Sequence, residues 1–290
     1  MSRTALGIAI MLVATSMLSV GAVLQKAVVD GLPPFEQVSL GQSLKALLRA
    51  PRWVIGWGIG FVGVVLNTVA LGLADLGLVQ PLNGFGLVVV ALFSRFYLGE
   101  RLDPRAVLGM ALVIAGVVLV GVLLPESRAF ASAPDLTACY LEPLSAAVLV
   151  ALVGTTALAW FVSRSQTRAA GILLALAAAA TSVTGLTFAK GFTGLMTLEG
   201  LRGLWAPAPA LLLVLLIGFS STAMVFQQLS LQKGRAVEVI PTFAAASVVL
   251  PLLPGWVVFR EQIPGLALLT PLLISAGVIL LGGRRPEVQA

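Results

Sequence analysis

Nine stretches of this chain carry no charged side chain over about 19 residues or more, the length that lets a helix cross a ~30 Å hydrocarbon layer. They are Thr4–Gln25, Trp53–Ala74, Leu76–Ser94, Ala106–Leu124, Pro143–Ser163, Ala169–Ala189, Gly203–Gln232, Val239–Phe259 and Gln262–Gly283. In lipid every backbone polar group must be satisfied within the protein, which leaves helices and closed barrels. Barrel strands alternate polar and apolar residues, and these runs are continuously apolar. The expected fold is therefore an all-α polytopic membrane protein with nine transmembrane helices. Charged residues make up only 10% of the chain, against about 25% in soluble domains.

Several functions are disfavoured at once. The net charge of +6 sits between the apolar runs, where it reads as a topology signal, so no nucleic-acid partner is expected. Cys139 is the only cysteine, so no intramolecular disulfide can form. The chain has no histidine, hence no histidine proton relay and no His-ligated metal. No GxxxxGK[ST] loop and no cofactor motif is present, and no nucleophile–base cluster or metal-ligand cluster marks an enzyme. Glycines 56, 58, 60 and 63 lie inside an apolar run with no strand before them, which points to close helix packing rather than to a nucleotide loop.

The chain repeats itself. Val79-Gln80-Pro81 matches Val239-Ile240-Pro241 at an offset of 160. Leu98-Gly99-Glu100-Arg101 matches Phe259-Arg260-Glu261-Gln262, and Ala111–Gly121 matches Leu272–Gly282, both at 161. Gly7, Leu12, Gly21 and Lys26 return as Gly171, Leu176, Gly185 and Lys190 at 164, so the first run is read as a retained helix rather than a cleaved signal. Residues 1–125 form the first unit and 168–290 the second, with a loop and an unpaired fifth helix in 126–167. The first and sixth runs are five crossings apart, an odd number. The two units should lie in opposite orientation, as an inverted repeat whose substrate site falls near the midplane. Residues 35–50 are expected to form an interfacial helix within the connection 30–52. Residues 125–142 are read as a loop, and 191–206 as the second unit's counterpart of 30–52.

Loop charge sets the orientation. The N-terminal side holds Arg3, Arg128, Arg202 and Arg260, with Lys190 near a helix end. The other side holds Lys45, Arg49, Arg52, Arg95, Arg101 and Arg105 and the pairs Arg164/Arg168, Lys233/Arg235 and Arg284/Arg285. This places the protein in the cell or inner membrane, N-terminus outside and C-terminus cytoplasmic.

Across 78–102 the chain resembles the drug/metabolite transporter superfamily, of the EamA-like type. The resemblance is carried by Pro81, Gly99-Glu100 and Ala115-Gly116, then by Pro241, Arg260-Glu261 and Ala276-Gly277; the second turn departs, with Phe-Arg-Glu for Leu-Gly-Glu. It covers nearly the whole chain. The four-plus-five helix count, the outside N-terminus and the LVQPLN run are similar to the NIPA-type, magnesium-transporter-like branch. The resemblance implies a secondary transporter of a small molecule or ion working by alternating access, with the lipid bilayer as partner, and leaves a homodimer open. Mg²⁺ usually binds through carboxylates, and the nine runs contain none; Asp75, Glu100, Glu238 and Glu261 stand at their borders. A non-transporting assembly or lipid-handling component is the competing class.

The candidate substrate-binding residues follow from the polar atoms that interrupt the runs. Lys26 and Lys190 close their helices at matched positions, either snorkelling to the interface or lining a cavity. Pro81 and Pro241 each leave a carbonyl four residues earlier without its helical partner. Asn67, Gln80 and Asn83, with Gln227 and Gln228, should face the protein interior, as interhelical hydrogen bonds or as substrate contacts. Glu238 begins the eighth run; it, Glu100 and Glu261 either cap helix N-termini or, for Glu238, supply a cation or proton site.

Overall fold

The computed structural model describes residues 3–29, 48–97, 104–123, 132–162, 170–200, 205–233, 236–262 and 265–282. No strand occurs among the described residues. The helices are α1 (Arg3–Val29), α2 (Pro51–Leu73), α3 (Leu76–Val79), α4 (Phe85–Tyr97), α5 (Pro104–Leu123), α6 (Ala133–Leu141), α7 (Pro143–Val162), α8 (Ala170–Glu199), α9 (Pro207–Lys233), α10 (Ala236–Val249), α11 (Leu252–Val257) and α12 (Leu269–Gly282). Two 3₁₀ segments, Gln80–Gly84 and Gly265–Leu268, interrupt the third and ninth runs.

Among the described residues four helices are long and apolar enough to cross a membrane, and five if the pair α6–α7, bent by 66°, counts as one span. The burial pattern is the reverse of a soluble helix. In α2 the buried residues are Gly56, Gly63, Ala70 and Leu71, while Ile55, Trp57 and Phe61 are more than half exposed. An apolar outer surface of this kind is stable against lipid rather than water. The chain is a multi-pass membrane protein.

Three readings from sequence are corrected here. Residues 133–141 are helix α6 rather than loop: the Ser132 hydroxyl accepts from the Asp135 N–H, Pro134 occupies the first turn, and Asp135 complements the helix N-terminus. Most of 191–206 is not a connection, because α8 continues to Glu199. Its buried threonines support this length: Thr181, Thr184, Thr187 and Thr193 each donate to the carbonyl one turn earlier, so burial leaves no hydroxyl unsatisfied. Lys190 therefore lies inside α8, nine residues before its end, and does not close it. The expected interfacial helix falls largely outside the described residues.

α1 packs along α2, α8 along α9, and α5 along α12. At the last crossing two glycines face each other. A Cβ on Gly109 would lie 2.8 Å from the Gly277 carbonyl oxygen, and one on Gly277 would lie 2.5 Å from that of Gly109. Gly277 also meets Val113, and Gly116 meets Ile274 and the Thr270 carbonyl. An early residue of α5 thus faces a late residue of α12 and the reverse, so the two helices run antiparallel. By the repeat register Gly109 corresponds to Thr270, Val113 to Ile274 and Gly116 to Gly277. Each contact is therefore matched by its repeat-related copy.

Candidate functional site

A cavity of about 450 Å³ lies between the halves of the chain. Its polar lining is Asn67 from α2, Gln80 and Asn83 from the first 3₁₀ segment, Ser182 from α8, Gln227 from α9 and Ser247 from α10. Apolar lining comes from Leu18, Leu87, Val183, Leu186, Phe243 and Val278, among others, and none of the described lining residues carries a charge. Repeat-matched residues face the cavity in pairs: Leu18 with Ser182, Asn67 with Gln227, Asn83 with Phe243, Gly84 with Ala244 and Leu87 with Ser247.

The chain breaks helix where the cavity needs polar atoms. Pro81 denies a donor to the Gly77 carbonyl, and α3 stops at Val79 before the tighter Gln80–Gly84 turn. Three amides then form a relay. The Asn67 amide nitrogen donates to Asn83 Oδ1 at 3.2 Å, and Asn83 Nδ2 donates to Gln80 Oε1 at 2.6 Å. Thr15 fixes the turn by donating to the Asn83 carbonyl at 3.2 Å. The relay ends on Gln80 Nε2, which is buried and has no hydrogen-bond partner among the described residues; Ser247 Oγ is in the same condition. Buried polar groups are rarely left unpaired. Two of them lining one cavity, Gln80 from the first half and Ser247 from the second, are what a solute with hydrogen-bonding capacity would complete.

Three charged residues, Asp75, Lys190 and Glu261, gather outside the described cavity lining. Lys190 Nζ donates to Glu261 Oε1 at 2.6 Å and to the Ala74 carbonyl at 3.1 Å, and lies 3.9 Å from Asp75 Oδ1. It also stands 5.1 Å above the Phe259 ring centroid. Asp75, Lys190 and Glu261 are 3%, 8% and 2% exposed, so Lys190 is neither snorkelling nor among the cavity-lining residues. Glu261 does cap a helix, but not the one that follows it. Its carboxylate accepts the Leu76 N–H at 2.6 Å and the Gly77 N–H at 2.9 Å, capping α3 from 184 residues away. The seat exists because Gly255 has no side chain; a Cβ there would collide with the carboxylate. Outside this buried group, Arg260 adopts a left-handed φ of 53° and pairs with Glu142. The hydrogen bond and charge of Glu142 hold the Arg260 guanidinium further above its usual range.

Of the remaining candidates, Gln228 lies in α9, Glu238 and Pro241 in α10 and Lys26 in α1; their side chains are outside the described residues. The Asp75–Lys190–Glu261 group as a unit was missed from sequence. The only signals were a lysine recurring at a matched position and an acid after the eighth run, neither of which says that they meet. Among the described residues no cluster of metal-ligating side chains is found.

The family model described as "Magnesium transporter NIPA" matches residues 3–280. The chain is 28% identical over 298 residues to the probable magnesium transporter NIPA9 of Arabidopsis thaliana, covering 94% of this chain and 81% of that protein. To the probable magnesium transporter NIPA7 of the same plant it is 21% identical over 258 residues, covering 84% and 77%. A shorter match, 30% over 114 residues, links 39% of this chain to 95% of the probable 4-amino-4-deoxy-L-arabinose-phosphoundecaprenol flippase subunit ArnE of Pseudomonas aeruginosa. No solved structure matches.

Proposed function

Because the chain belongs to the magnesium transporter NIPA family, within the drug/metabolite transporter superfamily, we propose that it is a secondary transporter. In this reading it moves a small polar solute by alternating access around the 450 Å³ cavity. The observation that carries the reading is the unpaired Gln80 Nε2 at the end of the Asn67–Asn83–Gln80 relay. Its site residues are Asn67, Gln80, Asn83 and Gln227, with Pro81 shaping the turn. Lys26, Gln228, Glu238, Pro241 and Lys190 belong to the same reading from sequence, Lys190 from outside the lining. The units 1–125 and 168–290 are its two moving parts, joined through 126–167. Nine crossings follow if the broken elements Leu76–Tyr97 and Ala236–Val257 each count as one. The antiparallel α5–α12 contact, matched residue for residue by the repeat, supports an inverted relation. So does the pairing of repeat mates around the cavity. The sidedness proposed is N-terminus outside, C-terminus cytoplasmic, in the cell or inner membrane. A non-transporting component has no evident use for such a cavity.

Mg²⁺ is the second reading, favoured by the family and by the relatives' names. A bare dication is poorly served by the described lining, which carries no charge, since burying an unpaired charge is costly. Mg²⁺ keeps its waters tenaciously, so it would enter hydrated, its waters donating to the oxygens of the amides. Purified protein in liposomes, loaded with a Mg²⁺-sensitive dye, separates the readings. Uptake above empty vesicles establishes Mg²⁺ as a substrate. Its absence, with the protein still folded, removes the cation reading, and a thermal-shift screen of small polar solutes then tests the first.

A further inference from the structure

We propose that Asp75, Lys190 and Glu261 form an ionic gate that shuts the N-terminal end of the cavity. The proposal rests on the alternating-access reading above. Position comes first. On α8 the last cavity-lining residue is Leu186, and Lys190 lies one turn further on. On the other side Gln80 lines the cavity, and Leu76, whose N–H Glu261 holds, lies four residues before it. Two independent elements therefore leave the cavity and meet at the same charged group. That group lies at the end where α1 begins, because Gly7 packs against Ala74.

The gate joins the two halves. Asp75, the Ala74 carbonyl and the α3 N-terminus come from the first, Lys190 and Glu261 from the second. An apolar layer of Leu71, Leu76, Leu136, Ala189, Leu195, Val258 and Phe259 lies around it. In the proposed gate this layer and the ion pair together keep water from the cavity at this end.

The chemistry suits a reversible closure. A buried ion pair exchanges hydration for Coulomb attraction at nearly equal free energy. Two carboxylates and an ammonium pulled apart are solvated well by the water an opening admits. A seal of apolar side chains alone would lose its stabilisation on opening with nothing to offset it. The gate is also tied to the cavity. Glu261 caps α3, and α3 leads directly into the turn that carries Gln80 and Asn83. Movement of Glu261 moves the amide relay.

The test reads access rather than transport. In a Cys139→Ser background, Ser182→Cys places one thiol in the cavity, and an impermeant maleimide is applied to oriented vesicles from either side. With the gate intact, labelling is expected from the C-terminal side and slow from the N-terminal side. Glu261→Gln, which keeps an oxygen for capping, and Lys190→Met are each expected to raise N-terminal-side labelling about tenfold, equivalent to about 1.4 kcal/mol of lost preference for the closed state. Arg260→Gln, which breaks only the exposed neighbouring pair, is expected to leave it unchanged. Labelling unaltered in Glu261→Gln, with monodisperse protein, overturns the gate and leaves the transporter reading standing. No labelling from either side in any variant overturns both. Equal acceleration by Arg260→Gln also overturns the gate, because a general loosening then suffices.

Discussion

Asn83 carries more of the cavity's order than any other side chain. It accepts from Asn67, donates to Gln80, and its backbone oxygen receives Thr15. Asn83→Ala leaves the Gln80 amide without its partner and the Asn67 amide with only the Met11 sulfur to donate to, at about 1–3 kcal/mol for a fully buried group left unpaired. It is expected to lower the unfolding temperature in detergent and to abolish most solute uptake by liposomes, whereas Asn83→Gln retains part of the uptake. Lys190→Met is expected to impair transport and to lower the unfolding temperature, because two buried carboxylates lose their ammonium. Lys26→Met is expected to impair transport if it lines the path. Normal transport in both variants would return the lysines to a structural role. The amides were legible in the sequence as polar atoms stranded in apolar runs. The pairing of Lys190 with Glu261 was not, because the contact joins residues 71 positions apart.

At the scale of helices, glycine placement separates crossing faces from lipid faces. Gly277 meets a backbone carbonyl across α5, while Gly58 on α2 meets nothing within 4 Å. Gly277→Ala is expected to destabilise by about 1–3 kcal/mol through overpacking. Gly58→Ala should be neutral or stabilise by up to about 1 kcal/mol through helix propensity. Thermal unfolding of the two variants side by side checks the ranking; the reverse order would mean that α5 and α12 are not in contact. The α6 helix shows how an element is overlooked. Its Ser132-Ala133-Pro134-Asp135 start is a legible N-terminal signature, but the segment is short and polar beside the runs around it. α8 was cut short for the opposite reason: Lys190 looks like a helix end until Asp75 and Glu261 neutralise it inside the protein.

For the whole molecule, orientation is the prediction most open to direct test. An epitope at the N-terminus should be reached by antibody on intact cells, and one at the C-terminus only after permeabilisation. The reverse result would overturn the charge-based topology. Sequence alone was enough to determine the solvent of this protein, since long charge-free runs can hydrogen-bond their backbone in lipid only as helices. Its internal repetition followed from matched residues. Tertiary structure decided where the runs break, because Pro81 permits a break but only a distant carboxylate can cap the helix that precedes it. It also decided which polar residues face a cavity and which are spent on one another. Local pattern reports which groups avoid lipid. Which groups meet depends on how the helices of the two halves cross, a property of no single segment.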